Sequence, residues 1–494
     1  MEYKDKAYWQ ELASTLTLEH RLFIAGKYQK AQAGEYFSCI NPATEQLLVE
    51  VSRAQETDVN KAVIAARSSF ESGVWSDTSP AERKAVLLRF AALIEKHQHE
   101  LALLDTLNTG KPIRHSLRDD IPGAVQAIRW YGEAVDKVYG EVAPTASNVL
   151  ALITREPVGV VAAIVPWNFP LLLACWKIGS ALATGNSVVL KPSEKAPLSA
   201  IRLGALAKKA GLPDGVLNII PGLGLEAGKA LALHHDVDCL SFTGSTGVGR
   251  RLLEYAGSSN MKRVWIEGGG KSANIVFADC PDLTKAATTC AAAIFYNQGE
   301  VCIAGARLLV EASIKDAFMA EFRKAAAAFV PMDPLDPQSI MGPLIDQNHH
   351  ASVCRYINLG VEEGAKLTLD GRDHPGNFMG PTVLEQVTPN MRIVNEEIFG
   401  PVLVIATFSN EQEALHLANS SKYGQSAGVW TANLQRAHRL ARKLKVGSVF
   451  INSYNEGDMT VPLGGMKKSG NGRDQSLHAF DKFSELKTTW LALD

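Results

Sequence analysis

The sequence predicts an α/β protein of two lobes, the first a doubly wound parallel sheet. Three observations carry this. The chain of 494 residues exceeds the length over which one hydrophobic core keeps growing. From Val158 onward, short β-branched runs alternate with longer amphipathic stretches, the pattern of successive βαβ units. A second region begins near Gly270 and continues the alternation to about Gly465.

Taken in order, VGVVAAIVP is a strand, LLLACWKIGSALAT a helix, SVVLKPS a strand and PLSAIRLGALAKKAG a helix. Gly211 suits that helix's C-cap, and Pro213 follows where a helix cannot continue. VLNIIPG, a helix near Glu226–His234, CLSFTGS, a helix to Ala256 and RVWIEGGG complete the first lobe. NIVFADC and an Ala-rich helix over Leu283–Phe295 open the second. Two further segments, SNVLALITREP and FSELKTTWLALD, read as strands with no helix attached. Such strands need a partner edge, within the chain or on another subunit.

Composition excludes several classes. With 46% hydrophobic and 21% charged residues, and 50 basic against 52 acidic side chains, nothing favours nucleic acid or an anionic membrane. The N-terminus has no apolar h-region, and no run approaches ~20 apolar residues, so a soluble cytoplasmic protein is expected. The seven cysteines are odd in number and lack a CxxC pair. That argues against a disulfide framework or a zinc site, and no metal is expected.

Several motifs can carry chemistry. FYNQGEVCIAG places Cys302 after a helix and a glycine-containing turn, where a thiol can face a cleft, although a lone cysteine is more often inert core. RVWIEGGG sets Glu267 at a strand's carboxyl end, where ligands bind in open α/β sheets. In PWNFP, Asn168 sits between Pro166 and Pro170. A rigidly held amide there is a good oxyanion donor, and an Asx turn is the competing account. KPSE presents Lys191, Ser193 and Glu194. Lys191 and Glu194 suit the ribose hydroxyls of an adenosine, and Glu194 would repel a 2′-phosphate, which favours NAD while leaving NADP possible. In FTGSTGVGRRL, Gly244, Ser245, Thr246 and Gly249 open a helix, as a pyrophosphate site or simply as a cap. Gly222–Ala227 matches GxGxxA but follows the third strand, so Gly224 at most borders an adenine. Gly270-Lys271-Ser272 imitates the end of a P-loop, yet Trp265 stands where its first glycine belongs.

Together PWNFP, KPSE, FTGST, the Glu267 strand end, FYNQGEVC, EEIFGPV and GGMKKSGNGRD appear in the order of the aldehyde dehydrogenase superfamily, which the chain resembles over essentially its whole length. LRDDIPGA, GEVAPT, SNMKRVW, SANIVFADCPDL, NEGDMTVP and SGNGRDQSLHA resemble, more narrowly, bacterial gamma-glutamyl-gamma-aminobutyraldehyde dehydrogenases of putrescine breakdown. The resemblance implies Cys302 as nucleophile, Glu267 as general base, Asn168 with the Cys302 backbone N–H as oxyanion donors, and Lys177 in proton relay or water positioning. It assigns Lys191 and Glu194 to the adenosine ribose, Ser245 to the pyrophosphate, Glu397 to the nicotinamide ribose and Phe399 to the nicotinamide. Pro166, Trp167, Ser193, Gly224, Gly244, Gly249 and Gly268 border the same cofactor.

The resemblance also implies an NAD-binding domain over 1–138 and 158–269, a catalytic domain over 270–469, and a small β oligomerisation element from 139–157 and 483–494. A homodimer or homotetramer follows. The expected reaction oxidises an aldehyde to a carboxylic acid through a Cys302 thiohemiacetal and thioester, and the expected substrate is an aminated aldehyde. Asp119, Asp120 and Asp458 are candidates to attract its ammonium, with Tyr296 and Trp176 as aromatic walls. Two residues depart from the family pattern. Gly268 replaces a leucine, which predicts a looser backbone beside the nicotinamide, and Leu463 replaces a phenylalanine of the aldehyde pocket. Competing functions are a broad-specificity or other ω-amino or guanidino aldehyde dehydrogenase, a CoA-acylating enzyme, and a non-catalytic cofactor-binding protein.

Overall fold

The computed structural model describes residues 4–493; Met1–Tyr3 and Asp494, at the ends of two expected domains, lie outside the described residues. Five parallel strands form the heart of the first sheet: β1 (Val160–Ile164), β2 (Ser187–Lys191), β3 (Leu217–Ile219), β4 (Cys239–Thr243) and β5 (Arg263–Glu267). Their order is β5-β4-β1-β2-β3, extended by an antiparallel hairpin of Leu22–Ile24 and Lys27–Gln29 on the β3 edge. The sequence gives no sign of that hairpin, because its three-residue strands lie outside the strand–helix alternation that marks β3.

Alternation within a strand explains why both faces are covered. In β1, Val161 and Ala163 join a core with helices Pro80–Lys96, Gln98–Thr109 and Ile121–Ala134, and with α1 (Pro170–Ala183) and α2 (Leu198–Ala210). Val160, Ala162 and Ile164 point the other way, to helix Glu56–Glu71 and α3 (Thr246–Gly257). The expected helix near Glu226–His234 is split: a π-type turn over Gly224–Gly228 runs into a short helix, Lys229–Leu233.

The second sheet holds β6 (Ala273–Val276), β7 (Arg307–Glu311), β8 (Thr382–Glu385), β9 (Val402–Phe408), β10 (Ser426–Trp430) and β11 (Ser448–Ile451). They run in the order β8-β9-β7-β6-β10-β11, all parallel, and Lys366–Leu369 adds an antiparallel edge beside β8. Helices α4 (Leu283–Phe295) and α5 (Gln347–Glu362) flank it.

The two orphan strands pair with each other. Ser484–Ala492 runs antiparallel to Val149–Pro157, and Glu141–Ala143 adds a third strand. This small sheet leaves Leu486 and Trp490 63% and 64% exposed on one strand.

Candidate active site

Chain order around β1 places the site. From β1 the chain moves through β2 and β3 on one side, then returns to lay β4 and β5 on the other. Loops diverge at such a switch point, opening a crevice at the strands' carboxyl ends. A cleft of about 790 Å³ lies there. It is lined by Pro166, Trp167 and Asn168 after β1, Gly244 and Ser245 after β4, and Glu267 and Gly268 at the end of β5. The second lobe contributes Cys302, Glu397 and Phe399.

The cysteine loop is held in an unusual backbone shape. After α4, Asn297, Gln298 and Gly299 have φ of 48°, 57° and 73°, three left-handed residues in succession. Such conformations persist only where surroundings fix them. Asn297 Nδ2 donates to Asn168 O (3.2 Å), and Gln298 Oε1 accepts from Gly342 N (3.0 Å). Beyond the cysteine, the Tyr454 hydroxyl donates to Ile303 O (2.6 Å). Cys302 is left half-buried at the cleft surface. Burial, reinforced by the charges of Glu397 and Glu267, pushes its thiol up to about 12.

Asn168 is oriented by one bond. Its Nδ2 donates to Glu300 O (2.8 Å), which engages one of the amide's two N–H groups. Glu267 is packed between glycines: a Cβ on Gly464 or Gly472 would lie 2.8 Å from its Oε1. That oxygen makes no hydrogen bond with the protein. Burial, then the charge of Asp474, raises the Glu267 carboxyl well above the ordinary range.

Behind Glu267 is a buried polar cluster. Lys177 Nζ reaches Asp474 Oδ2 (3.2 Å) and Ser241 Oγ (3.3 Å), and Lys482 pairs with the other Asp474 oxygen. Burial would raise Asp474, but the two lysines outweigh it and hold the carboxyl at about 2. Glu397 accepts from Gly270 N (2.9 Å), and any Cβ on Gly269 would overlap its carboxylate. Burial raises Glu397 to about 7.

The residues present fit a dinucleotide. Ser245 caps α3 by accepting from Val248 N (3.3 Å), and nothing lies within 4 Å of a Cβ placed on Gly247. The start of that helix borders the cleft at Gly244 and Ser245, where its positive dipole end suits a phosphate. At the end of β2, Lys191 Nζ meets Glu194 Oε2 (3.1 Å), and Gly224 approaches the same carboxylate.

The family model for aldehyde dehydrogenases matches residues 28–489. The chain belongs to the aldehyde dehydrogenase family. This aldehyde dehydrogenase is 61% identical to an NADP/NAD-dependent aldehyde dehydrogenase of Escherichia coli (PuuC), over 100% of both chains. A solved indole-3-acetaldehyde dehydrogenase with NAD+ superposes with a TM-score of 0.99 at 55% identity, covering 99% of this chain and 100% of the other. A gamma-glutamyl-gamma-aminobutyraldehyde dehydrogenase from Burkholderia cenocepacia gives 0.97 at 52% identity, with the same coverage. The chain is an NAD(P)-dependent enzyme of this family, with its α/β fold.

Around the aldehyde dehydrogenase cleft the expected substrate residues divide. Asp119, Asp120, Trp176, Tyr296 and Leu463 line it, together with Phe169, Leu172, Leu173 and Phe450. Asp458 does not: its carboxylate points into its own exposed turn and accepts from Thr460 N (2.8 Å) and from the Thr460 hydroxyl. Asp120 is fully buried and bonded to Lys111, so its charge is already neutralised. Asp119 is paired as well, its two oxygens accepting from Arg118 Nε (2.8 Å) and an Arg118 terminal nitrogen (3.0 Å); of the acidic lining residues outside the proposed catalytic and cofactor sets, Glu456, which the motif reading did not single out, is left to face an incoming cation. Asp119 also accepts from the Tyr296 hydroxyl (3.0 Å).

Three further expectations need correction or relocation. Gly249 lies inside α3, where a Cβ would come within 3.0 Å of Ile266, so it serves helix–sheet packing. Gly268 is not loose: its N–H donates to Ser469 O (2.7 Å), and Ser469 Oγ donates to Gly269 O (2.7 Å). A side chain at 268 would press on Thr246 Oγ1 and the backbone of Lys468 and Ser469. Lys177, Lys191, Ser193, Glu194 and Gly224 stand outside the cleft's lining, the first behind Glu267 and the others around the end of β2.

Proposed function

We propose that the Cys302 sulfur attacks the aldehyde carbon, that Asn168 and the Cys302 backbone N–H hold the resulting oxyanion, and that Glu267 activates the hydrolytic water. The convergence of Cys302, Glu267 and Asn168 on one cleft, from loops 35 or more positions apart in sequence, is the observation that carries this. Thiohemiacetal formation needs a thiolate, and a carboxylate whose pKa burial has raised is a stronger acceptor for the thiol proton than an exposed one. The bound nicotinamide supplies the two-electron acceptor. The other N–H of Asn168 stabilises charge as it develops, at no cost of reorientation. Glu267, once it has passed the thiol proton on to solvent, takes a proton from water as the thioester opens to the acid, and Lys177 with Asp474 holds charge behind it. Ser245 and the first turn of α3 would bind the pyrophosphate, Lys191 and Glu194 the adenosine ribose, and Glu397 the nicotinamide ribose. Pro166, Trp167, Phe399 and Gly268 would border the cofactor.

For the substrate we propose an aldehyde bearing a distal ammonium, such as gamma-glutamyl-gamma-aminobutyraldehyde in putrescine breakdown. Glu456 at the cleft, and the name of the solved relative at 52% identity, support this. The apolar walls Phe169, Trp176 and Phe450 favour a second reading, an aromatic aldehyde, in line with the indole-3-acetaldehyde dehydrogenase neighbour. Specificity constants for gamma-glutamyl-gamma-aminobutyraldehyde, an unsubstituted aliphatic aldehyde of equal length and indole-3-acetaldehyde decide between them. The first should exceed the second by at least about tenfold, and Glu456→Gln should narrow that gap. Equal values, or a preference for the indole compound, would end the ammonium reading.

The division into an NAD-binding domain, a catalytic domain and a β element that joins subunits is part of the same proposal. The two sheets with separate cores support it, as do the exposed apolar side chains of the small sheet. No helix among the described residues is long and apolar enough to cross a membrane. We place the enzyme in the cytoplasm, supported by its seven unpaired thiols.

A further inference from the structure

One buried contact chain links the two halves of the cleft through a residue that no motif singled out. His349, in the first turn of α5, lines the cleft, and its Nε2 donates to Phe399 O (2.7 Å). Phe399 has φ 60°, a left-handed backbone that a bulky residue adopts only when something outside it fixes the conformation. The His349 ring packs edge-on against Trp167 (centroids 5.6 Å) and Phe399 (6.2 Å), and Trp167 and Phe399 also meet each other (5.5 Å). On its other side, Nε2 lies 3.7 Å from Glu300 Oε1. Glu300 is buried in the cysteine loop; its carboxylate accepts from Ile345 N (3.1 Å), and its backbone carbonyl is the group that orients Asn168.

His349 is itself anchored. Asp346 caps α5 by accepting from His349 N (2.8 Å) and pairs with Lys195 (2.6 Å), whose Nζ stands over Trp167 at 5.6 Å. The charged and titratable groups around the ring are therefore Glu300, Asp346, Lys195 and His350. Burial holds His349 below the usual histidine range, so it is neutral at physiological pH, with its proton on Nε2 as the bond to a carbonyl requires.

We propose that His349 is a positioning residue: its Nε2–H fixes the Phe399 backbone, and so the wall against which the nicotinamide rests, to the same loop that aims Asn168. The inference rests on the cofactor placement proposed above. It requires the donor, and it does not require a basic ring. His349→Gln, whose amide can reach the same carbonyl, should bind NADH and turn over within about threefold of wild type. His349→Phe keeps the ring and loses the donor; its dissociation constant for NADH should rise about tenfold, the scale of one lost hydrogen bond. Its kcat/KM should fall by at least as much, while the thermal midpoint stays within a few degrees.

NADH binding is read by fluorescence titration without aldehyde, so it reports on His349 even where the substrate assignment fails. If wild type itself binds no NADH, the cofactor placement falls instead. Should His349→Phe not fold, His349→Met carries the same expectation. The proposal is overturned if the donorless variant binds NADH and turns over like wild type, or if His349→Gln is impaired as severely as the donorless variant.

Discussion

At the scale of single residues the chemistry depends on pKa values set by burial. Cys302 and Glu267 are both raised, so neither ionises readily by itself: burial leads in each, with the charges of Glu397 and Glu267 adding to it at Cys302 and that of Asp474 at Glu267. Cys302→Ala should abolish turnover while NADH binding, read by titration, survives; appreciable residual turnover would remove the sulfur from the mechanism. A base of raised pKa is available only above that pKa, so kcat should fall as pH drops through it. Glu267→Gln should remove that acid limb and slow hydrolysis, seen as a burst of reduced nicotinamide before a slow steady state. An unchanged pH profile would show that Glu267 is not the group titrating. These residue types could be read from FYNQGEVC, RVWIEGGG and PWNFP, because each sits where a strand or helix ends. Asp458 could not be judged in the same way: an acidic residue in a loop reads alike whether it faces a cleft or caps its own turn.

At the scale of elements, the aldehyde end of the cleft rests on a buried ion pair. Lys111 is fully buried, bonded to Asp120, and its Nζ stands 3.5 Å from the centroid of the Phe169 ring, next to Asn168 in the chain. Removing one partner of such a pair strands the other charge. Lys111→Met should therefore lower unfolding stability by about 3–5 kcal/mol in urea titrations. Lys111→Met with Asp120→Asn should recover part of that loss. A single variant as stable as wild type would mean that the pair carries no structural load. The strands and long helices were legible because the period-2 and period-3.6 patterns are long enough to see. The hairpin Leu22–Gln29 and the π-type turn at Gly224–Gly228 were not, since a three-residue strand holds less than two periods of alternation and a five-residue turn less than two turns of helix.

At the scale of the whole molecule, the strand Ser484–Ala492 crosses more than 320 positions to pair with Val149–Pro157 and then leaves apolar side chains in solvent. In the proposed division of the chain, these exposed apolar side chains are the surface on which another subunit would sit. Trp490→Glu with Leu486→Glu should shift the enzyme to a smaller species in sedimentation velocity, with the monomer's secondary structure intact. An unchanged sedimentation coefficient would place the subunit contact elsewhere.

By itself, the sequence determined that two α/β units would form and which loops would end at strand termini, because side-chain periodicity and capping residues act locally. It also carried the family, since motifs in a fixed order need no coordinates to be recognised. Only the tertiary structure decided which charges meet. Asp120 is paired with Lys111 and Asp119 with Arg118 while Glu456 is left at the cleft, Gly268 is pinned by Ser469, and His349 joins Glu300 to Phe399. Each of these depends on residues brought together by packing, and contacts between distant segments leave no pattern along the chain.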